Sequence, residues 1–344
     1  MKWKLTAIAT GLAFALSGGM AQAGGELNLF NWGNYTNPKL VEKFEKQTGI
    51  KIVITDYDDN DSALAKVKAG GHGFDMVVPS SNYVPIWIDE GLLLESRPDQ
   101  MSNFKNLEAR WQDTDWDPGR HYTVPWQWGS VGIMIDTAVY NGDINTSSII
   151  FDPPPELVGK INVAPEMGDV MGTVLRYIGS EPCTNDKAML KKARDVLLAA
   201  KPKWLSMEYG VIEKIAGGDL AASLYWNGAS FRARLKNPNV HYGYPREGYS
   251  LWMDSVGILK DAKNVENAKT FMNFIMEPEN AALISEFARY ANGVKGSVKY
   301  MPEDMATATE VVIPKEFINS GHFVPPCPPD VQKIYTAIWT ELQK

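Results

Sequence analysis

The apolar positions of the chain follow two periods, and the two periods alternate along the sequence. Short runs of aliphatic and aromatic residues, typical of buried strands, occur at residues 27–32, 50–54 and 74–78. Each run is followed by a stretch with apolar residues three or four positions apart, typical of a helix, at residues 38–48, 61–68 and 83–90. Strands that alternate with helices form a parallel sheet with right-handed crossovers. The pattern therefore predicts an α/β fold.

The alternation continues in the second half of the chain. We predict a crossover strand at residues 132–135 and a strand at residues 256–259 that returns to the first region. Apolar spacing predicts further helices in this half, at residues 169–178, 186–200, 209–215, 267–276, 278–290 and 330–342. Ligands of α/β proteins bind outside the carboxyl ends of the strands, so we expect a site near residues 31–37 and 79–83.

The first residues have the pattern of a secretory signal peptide. Lys2 and Lys4 precede a short apolar stretch at residues 5–16, and residues 21–23 form an Ala-Gln-Ala cleavage site. The apolar stretch is shorter than the ~20 residues that a membrane-spanning helix needs. We therefore predict a signal peptide at residues 1–23, export to the periplasm and no stable insertion into the membrane.

Size and charge restrict the organisation and the partners. Removal of residues 1–23 leaves 321 residues, more than one hydrophobic core usually fills, so two lobes are expected. The formal net charge of the chain is −7, and it becomes −9 when the two lysines of the signal peptide are removed. A negative surface without a run of Lys or Arg argues against nucleic acid and anionic membranes as partners. It is compatible with a cationic ligand.

The sequence contains no recognisable catalytic or metal-binding motif. Its four histidines, at positions 72, 121, 241 and 322, have no spacing typical of zinc sites, and no nucleophile elbow or phosphate-binding loop occurs. We predict no catalytic residue, metal or cofactor. Cys183 and Cys327 are the only cysteines, and two outcomes fit them equally well, one disulfide or two separate thiols.

Three tryptophans point to a binding site for a cation. Trp32, Trp226 and Trp252 each lie beside small or polar residues, at positions where we predict loops at strand ends. A single tryptophan usually fills a core, but aromatic faces also attract ammonium groups, by about 2 kcal/mol where water is excluded. The shared context of the three indicates aromatic walls around an amine.

Seven segments resemble, in matching order, those of bacterial periplasmic putrescine/spermidine-binding proteins. They are LFNWGNY at residues 29–35, FDMVVPS at 74–80, WNG at 226–228, WMDS at 252–255, DAKN at 261–264, FIMEPE at 274–279 and YAN at 290–292. The resemblance covers nearly all of the mature chain. It implies a type II-like periplasmic binding protein fold, in which two lobes, each a mostly parallel sheet flanked by helices, are joined by crossover strands that act as a hinge. We place lobe 1 at residues 24–132 plus 257–310, and lobe 2 at residues 133–256 plus 311–344.

The resemblance also implies a set of ligand-binding residues drawn from both lobes: Trp32, Asn34, Tyr35, Ser80, Glu166, Asp169, Trp226, Trp252, Asp254 and Tyr290. Asp254 would grip an ammonium group near the hinge, and Asp169 would meet one from lobe 2. Other interpretations of the acids stay open. Asp254 could be an ordinary turn residue, and Glu166 and Asp169 could merely stabilise the start of a helix.

Two departures leave the ligand open. Members of the family usually carry an acid where this chain has Asn34, and putrescine-binding members carry one where it has Ala229. Fewer carboxylates imply fewer ammonium groups, so a diamine, an acylated polyamine and an amino-acid-like or opine-like amine all fit. We expect a monomer, because a clamp must present both lobes, and we expect it to deliver its ligand to an inner-membrane ABC permease. The alternatives are a sensory receptor, and a secreted enzyme with Asp169 or Asp254 as general base.

Overall fold

Strands and helices alternate along the chain, as the apolar pattern predicts. The computed structural model describes residues 24–344, and the predicted signal peptide at residues 1–23 lies outside the described residues. Within residues 24–344, ten strands form one connected sheet: β1 (Gly25–Trp32), β2 (Ile50–Tyr57), β3 (Met76–Val77), β4 (Thr123–Asp136), β5 (Ile161–Val163), β6 (Ser206–Met207), β7 (Ala222–Trp226), β8 (Val240–Gly243), β9 (Tyr249–Ile258) and β10 (Gly321–Phe323).

Twelve α-helices accompany these strands in the described part of the chain: α1 (Pro38–Thr48), α2 (Asn60–Lys68), α3 (Val84–Asp89), α4 (Ala109–Gln112), α5 (Ser148–Phe151), α6 (Met167–Tyr177), α7 (Lys187–Ala200), α8 (Ile212–Ala216), α9 (Asn227–Arg234), α10 (Val265–Ile275), α11 (Pro278–Ala288) and α12 (Pro329–Leu342). Short 3-10 helices lie in the connections, the longest at Lys315–Ser320. None of the helices within residues 24–344 is long and apolar enough to cross a membrane.

The sheet has the strand order β2-β1-β3-β9-β4-β7-β5-β6, with β10 paired to β9 and β8 paired to β4. Strand β1 runs parallel to β2 and β3 on one side, and β5 runs parallel to β6 and β7 on the other. Between these two groups, β9 is antiparallel to β3 and β4, and β4 is antiparallel to β7. The predicted α/β class is confirmed. The sheet is mixed, because two strands run through its middle in opposite directions.

Strands β4 and β9 are longer than the sequence predicts. They pair from Thr123 opposite Gly257 to Ser130 opposite Leu251, with an irregularity between Pro125 and Gln127. Proline lacks an N–H for the ladder, and strands tolerate it at such an irregularity. The predicted strands at residues 132–135 and 256–259 are therefore only the ends of longer crossover strands, because polar residues and proline obscure the remainder.

The first helix shows how local sequence sets element boundaries. The side chain of Asn37 accepts a hydrogen bond from the backbone N–H of Lys39, and Pro38 occupies the first helical turn, where its missing N–H is not needed. Gly49 ends the helix with φ 72°, a left-handed conformation that glycine adopts without strain. The predicted helix at residues 38–48 is confirmed.

Helix α9 was not predicted, because its sequence begins Asn227-Gly228 and glycine disfavours a helix by about 1 kcal/mol relative to alanine. The structure gives a packing reason for this glycine. A Cβ atom on Gly228 would lie 2.6 Å from the carbonyl oxygen of Ala288 and from the ring of Tyr290. The glycine therefore permits a close contact between α9 and the end of α11, and tertiary packing outweighs the weak helix propensity.

The C-terminal region is attached to the second half of the sheet. Helix α12 packs against α6 and α7. Cys183, after α6, and Cys327, before α12, form a disulfide across a sequence separation of 144 residues. This bond decides between the two outcomes that the sequence leaves open. In the chain-entropy model, closure of such a loop stabilises the fold by about 4–5 kcal/mol.

Candidate functional site

A cavity lies at the carboxyl ends of the parallel strands, where the sequence predicts a site. Trp32 ends β1, Ser80 follows β3, Glu166 follows β5 and Trp226 ends β7, and all four line the cavity. The empty space measures about 650 Å³, part of it open to solvent, within the range of small-molecule clefts. The structure brings all of the predicted site residues to this cavity: Trp32, Asn34, Tyr35, Ser80, Glu166, Asp169, Trp226, Trp252, Asp254 and Tyr290. Their contact with a ligand stays a prediction.

Asp254 lies in the middle of β9, with 5% of its surface exposed. It is a strand residue, so the interpretation as an ordinary turn acid is wrong. One carboxylate oxygen accepts a hydrogen bond from the Ser80 hydroxyl at 2.7 Å, and the other accepts one from the Tyr35 hydroxyl at 2.8 Å. Burial raises the pKa of Asp254 to about 7, although these two hydrogen bonds act in the opposite direction. The carboxyl is thus poorly solvated, and within residues 24–344 no cationic side chain forms an ion pair with it.

Asp169 and Glu166 lie at the start of α6. Burial raises the pKa of Glu166 well above its ordinary value, and the charge of Asp169 raises it further. Burial also raises the pKa of Asp169, whose carboxylate accepts a hydrogen bond from Trp226 Nε1 at 2.8 Å. Glu166 makes no capping hydrogen bond to the helix; it accepts bonds from the backbone and side-chain nitrogens of Asn60 at 3.2 and 3.3 Å. A simple helix-start role therefore does not explain the orientation of Glu166.

The three carboxylates of the cavity are buried, and burial disfavours the charged form of each. In the part of the chain that the structure describes, no lysine, arginine or histidine lies within ion-pair distance of Glu166, Asp169 or Asp254, although the charge of Arg176 acts to lower the pKa of Asp169. Buried carboxylates without a cation either take up protons or bind a cation from outside. The arrangement can therefore bind a positively charged group that has lost its hydration shell.

Aromatic rings form the walls beside these acids. The rings of Trp32 and Trp226 lie 6.2 Å apart at 65°, and those of Trp252 and Tyr290 lie 5.0 Å apart at 75°. Trp32 Nε1 is fixed by a 3.0 Å hydrogen bond to the carbonyl of Val78. The predicted loop position of Trp252 is wrong. It lies two residues before Asp254 on the same face of β9, because side chains alternate along a strand, and this spacing places an indole beside a carboxylate.

Other residues of the cavity were not predicted: Asn60, Asn82, Tyr209, Gly210, Ile212, Tyr225 and Arg232. Tyr209 donates a 2.8 Å hydrogen bond to the carbonyl of Gly33, and Arg232 donates a 3.1 Å hydrogen bond to the carbonyl of Asn34. Both bonds join the loop after β1 to the second half of the chain. Arg232 was not predicted as a site residue because α9 was not predicted. Helix α9 starts directly after Trp226, so Arg232 lies less than two helical turns from that residue and also lines the cavity.

Metal binding has no support within residues 24–344, where no group of three or more His, Cys, Asp or Glu side chains is placed to hold a metal ion. The site chemistry is that of charge pairing, hydrogen bonding and aromatic contact.

A family model described as bacterial extracellular solute-binding protein matches residues 39–311. The chain belongs to this family. It is 30% identical to the putrescine-binding periplasmic protein SpuD of Pseudomonas aeruginosa, with 96% of this chain and 97% of the relative covered. It is 28% identical to the spermidine/putrescine-binding periplasmic protein of Escherichia coli, with 94% and 93% covered.

Solved structures lead to the same family. A putative spermidine/putrescine ABC transporter protein from Listeria monocytogenes superposes with a TM-score of 0.87 at 29% identity, with 92% of this chain and 98% of that chain covered. The predicted family and the periplasmic binding protein fold are confirmed. Because the members of this family are substrate-binding components of transporters, the predicted choice of a binding protein over an enzyme is also confirmed.

Proposed function

We propose that this solute-binding protein is a periplasmic receptor that captures a small cationic amine of the polyamine class and delivers it to an inner-membrane ABC permease. The observation that carries the proposal is the cavity with three carboxylates, Glu166, Asp169 and Asp254, none of them in an ion pair within the described residues. The names of the relatives, which refer to putrescine and spermidine, support the same ligand class.

The physical basis is the cost of removing an ammonium group from water. A buried ammonium is tolerated only where it is paired with a carboxylate and hydrogen-bonded. Asp254 and Asp169 supply the negative charge, and the indoles of Trp32, Trp226 and Trp252 supply apolar surface for methylene groups and cation–π contacts. A linear amine with a short carbon chain fits both requirements.

Closure of two lobes around the ligand would report its presence to the permease. In this proposal the lobes are residues 24–132 plus 257–310 and residues 133–256 plus 311–344, with β4 and β9 as the hinge. Hydrogen bonds from Asn60 to Glu166 and from Tyr209 to the Gly33 carbonyl connect the two sets of residues. A ligand that binds the closed state better than the open state shifts the population towards closure. The protein acts as a monomer after cleavage of residues 1–23.

The test is a ligand panel with the mature protein, residues 24–344. Putrescine, cadaverine, spermidine, spermine, acetylated polyamines and amino acids are compared by thermal unfolding and calorimetry. A cognate amine at a hundred times its dissociation constant adds about 2.7 kcal/mol to the free energy of unfolding. The expected result is a rise in melting temperature with at least one amine. If no cation in the panel changes the melting temperature, the proposal is wrong.

A further inference from the structure

Arg232 is a cation in a cavity that otherwise suits a cation. It lies on α9, lines the same cavity as Asp254, and also borders the more open groove next to it, which Asn37 and Glu213 line. Its Nη1 donates a hydrogen bond to the backbone carbonyl of Asn34 at 3.1 Å. Arg232 therefore occupies the side of the cavity that faces this groove.

Arg232 has an N–H donor without a hydrogen-bond partner among the described residues. Its Nε atom is buried and has no hydrogen-bond partner, and among the described residues no carboxylate forms an ion pair with its guanidinium. Arg234, two positions later on the same helix, behaves differently, because its Nε and Nη2 atoms both donate to the carboxylate of Glu310. N–H donors that are shielded from solvent, as this Nε–H is, usually have a partner.

A second lining residue has the same deficit. The Nε1 atom of Trp252 is buried without a partner, whereas Trp226 Nε1 donates to Asp169. Both orphan groups, on Arg232 and on Trp252, are N–H donors that have no acceptor capacity. An ammonium group satisfies acceptors and leaves donors unpaired. A ligand that also carries an acceptor would supply a partner for such a donor.

On the side that faces the cavity, Arg232 lies near three phenols, those of Tyr209, Tyr225 and Tyr290. Burial raises the pKa of Tyr290 to about 12, and the charge of Arg232 together with a side-chain hydrogen bond from it acts in the opposite direction. The charge of Arg232 also acts to lower the pKa values of Tyr209 and Tyr225, which burial raises. The cavity thus combines buried carboxylates with a separate, positively charged donor group.

We infer that the cognate ligand is an alkyl amine whose other end carries a hydrogen-bond-accepting oxygen, a carboxylate or an acyl carbonyl, which Arg232 binds through its free Nε–H. The inference rests on the proposed function, since the carboxylates of the cavity still bind the ammonium end. A plain diamine would bring a second ammonium towards the guanidinium of Arg232, and like charges repel. The second polar end therefore determines specificity.

The experiment compares probes that share a four-carbon amine. Calorimetry on the mature protein measures dissociation constants for putrescine, N-acetylputrescine, 4-aminobutanoate and butylamine. At least one of the two probes with an acceptor oxygen should bind tenfold or more tightly than putrescine, a factor that corresponds to about 1.4 kcal/mol. The acetyl and carboxylate probes distinguish the two sources of the acceptor.

Substitutions at Arg232 test whether this residue causes the preference for a probe with an acceptor oxygen. Arg232→Gln should remove the tenfold preference for the acceptor probe, and Arg232→Lys, which keeps the charge but loses the planar fork, should retain only part of it. Arg246→Gln is the matched control, because it removes an exposed arginine outside the cavity and should leave the preference unchanged. Thermal unfolding without ligand shows whether each variant is folded.

The outcomes separate this inference from the proposed function. If putrescine binds more tightly than both acceptor probes, or if Arg232→Gln leaves the order of affinities unchanged, the inference is wrong while the receptor function stands. If the wild-type protein binds none of the amines, the proposed function fails, and the inference fails with it.

Discussion

Two aspartates that are almost inaccessible to solvent, Asp75 and Asp254, differ in how they are solvated. Asp75, just before β3, is 1% exposed and accepts hydrogen bonds from the backbone N–H groups of Asn28, Lys263 and Asn264 and from two asparagine side chains. Asp254 is 5% exposed and accepts two hydrogen bonds from hydroxyl groups. Similar surface exposure thus accompanies very different numbers of donors.

The difference appears in the two pKa values. Burial acts to raise the pKa of Asp75, but the hydrogen bonds from Asn264 and Asn28 outweigh it, so the pKa is lowered overall. For Asp254, burial dominates and raises the pKa to about 7. Asp75 is solvated by the protein itself and stabilises the fold. Asp254 is under-solvated, as expected of a carboxylate whose partner is a ligand.

The largest expected effect is on ligand affinity. Asp254→Asn keeps the shape of the side chain and removes its charge, so an ammonium group loses its partner in a buried site. Amine affinity should fall by about 100-fold or more, or ~3 kcal/mol, while the melting temperature of the free protein stays the same or rises. Calorimetry and thermal unfolding measure the two quantities. Unchanged affinity in this variant would place the charge partner elsewhere in the cavity.

Asp75→Asn should affect stability rather than ligand affinity, the reverse of Asp254→Asn. It replaces one carboxylate oxygen, which accepts hydrogen bonds, by an NH2 group, which accepts none. Several buried N–H donors therefore lose their partner. The free energy of unfolding should decrease by about 2–3 kcal/mol, whereas the amine affinity of the folded variant should change little. Denaturant unfolding and calorimetry give both values. A loss of affinity equal to that of Asp254→Asn, without loss of stability, would remove the distinction between the two acids.

The pH dependence of binding should follow the raised pKa of Asp254. An ammonium group requires ionised carboxylates, so affinity should rise by about tenfold per pH unit for each acid with a raised pKa, up to about pH 7 for Asp254. Binding below that pH should release protons. Calorimetry in buffers with different ionisation enthalpies detects the release, and affinity that does not change between pH 5 and pH 7 would contradict the raised pKa.

The stability of the ligand-free protein should change with pH in opposite directions at the two residues. For Asp254 the folded state binds more protons than the unfolded state between the ordinary pKa and about 7, so its contribution falls as pH rises through that window. For Asp75, whose pKa is lowered, the contribution is present above the ordinary pKa and is lost as pH falls below it. Unfolding curves from pH 3 to pH 8, compared with those of Asp254→Asn, test both signs, because this variant should lose the contribution of Asp254 in the upper window, while Asp169 and Glu166, whose pKa values are also raised, keep theirs.

The smallest expected effect concerns the donors to Asp254. Tyr35→Phe removes the hydroxyl that lies 2.8 Å from the carboxylate and leaves the aromatic ring in place. Amine affinity should fall by about fivefold, or ~1 kcal/mol, because the ionised carboxylate loses one hydrogen bond. The pH at which binding weakens should move upward. An unchanged pH profile would show that Tyr35 does not help to hold the charge.

The sequence by itself determined the elements whose signals are local. The cap at Asn37, the proline at position 38 and the glycine at position 49 fix α1, because capping and backbone conformation act within a few residues. Alternating apolar runs also fixed the α/β class, and strand ends correctly indicated where the cavity lies. The ligand-binding residues came from segments that resemble a known family, since nothing in the residue types alone joins Trp32 to Asp254.

Only the tertiary structure decided which side chains meet. Asp254 contacts Ser80 and Tyr35, which are 174 and 219 positions away in the sequence, because the register of β9 beside β3 brings them together. The same long-range packing set the length of β4 and β9, formed α9 despite Gly228, and placed Arg232 in the cavity. Whether a buried charge has a partner depends on all the residues packed around the side chain. Many of those residues are distant in the sequence, so local sequence does not reveal them.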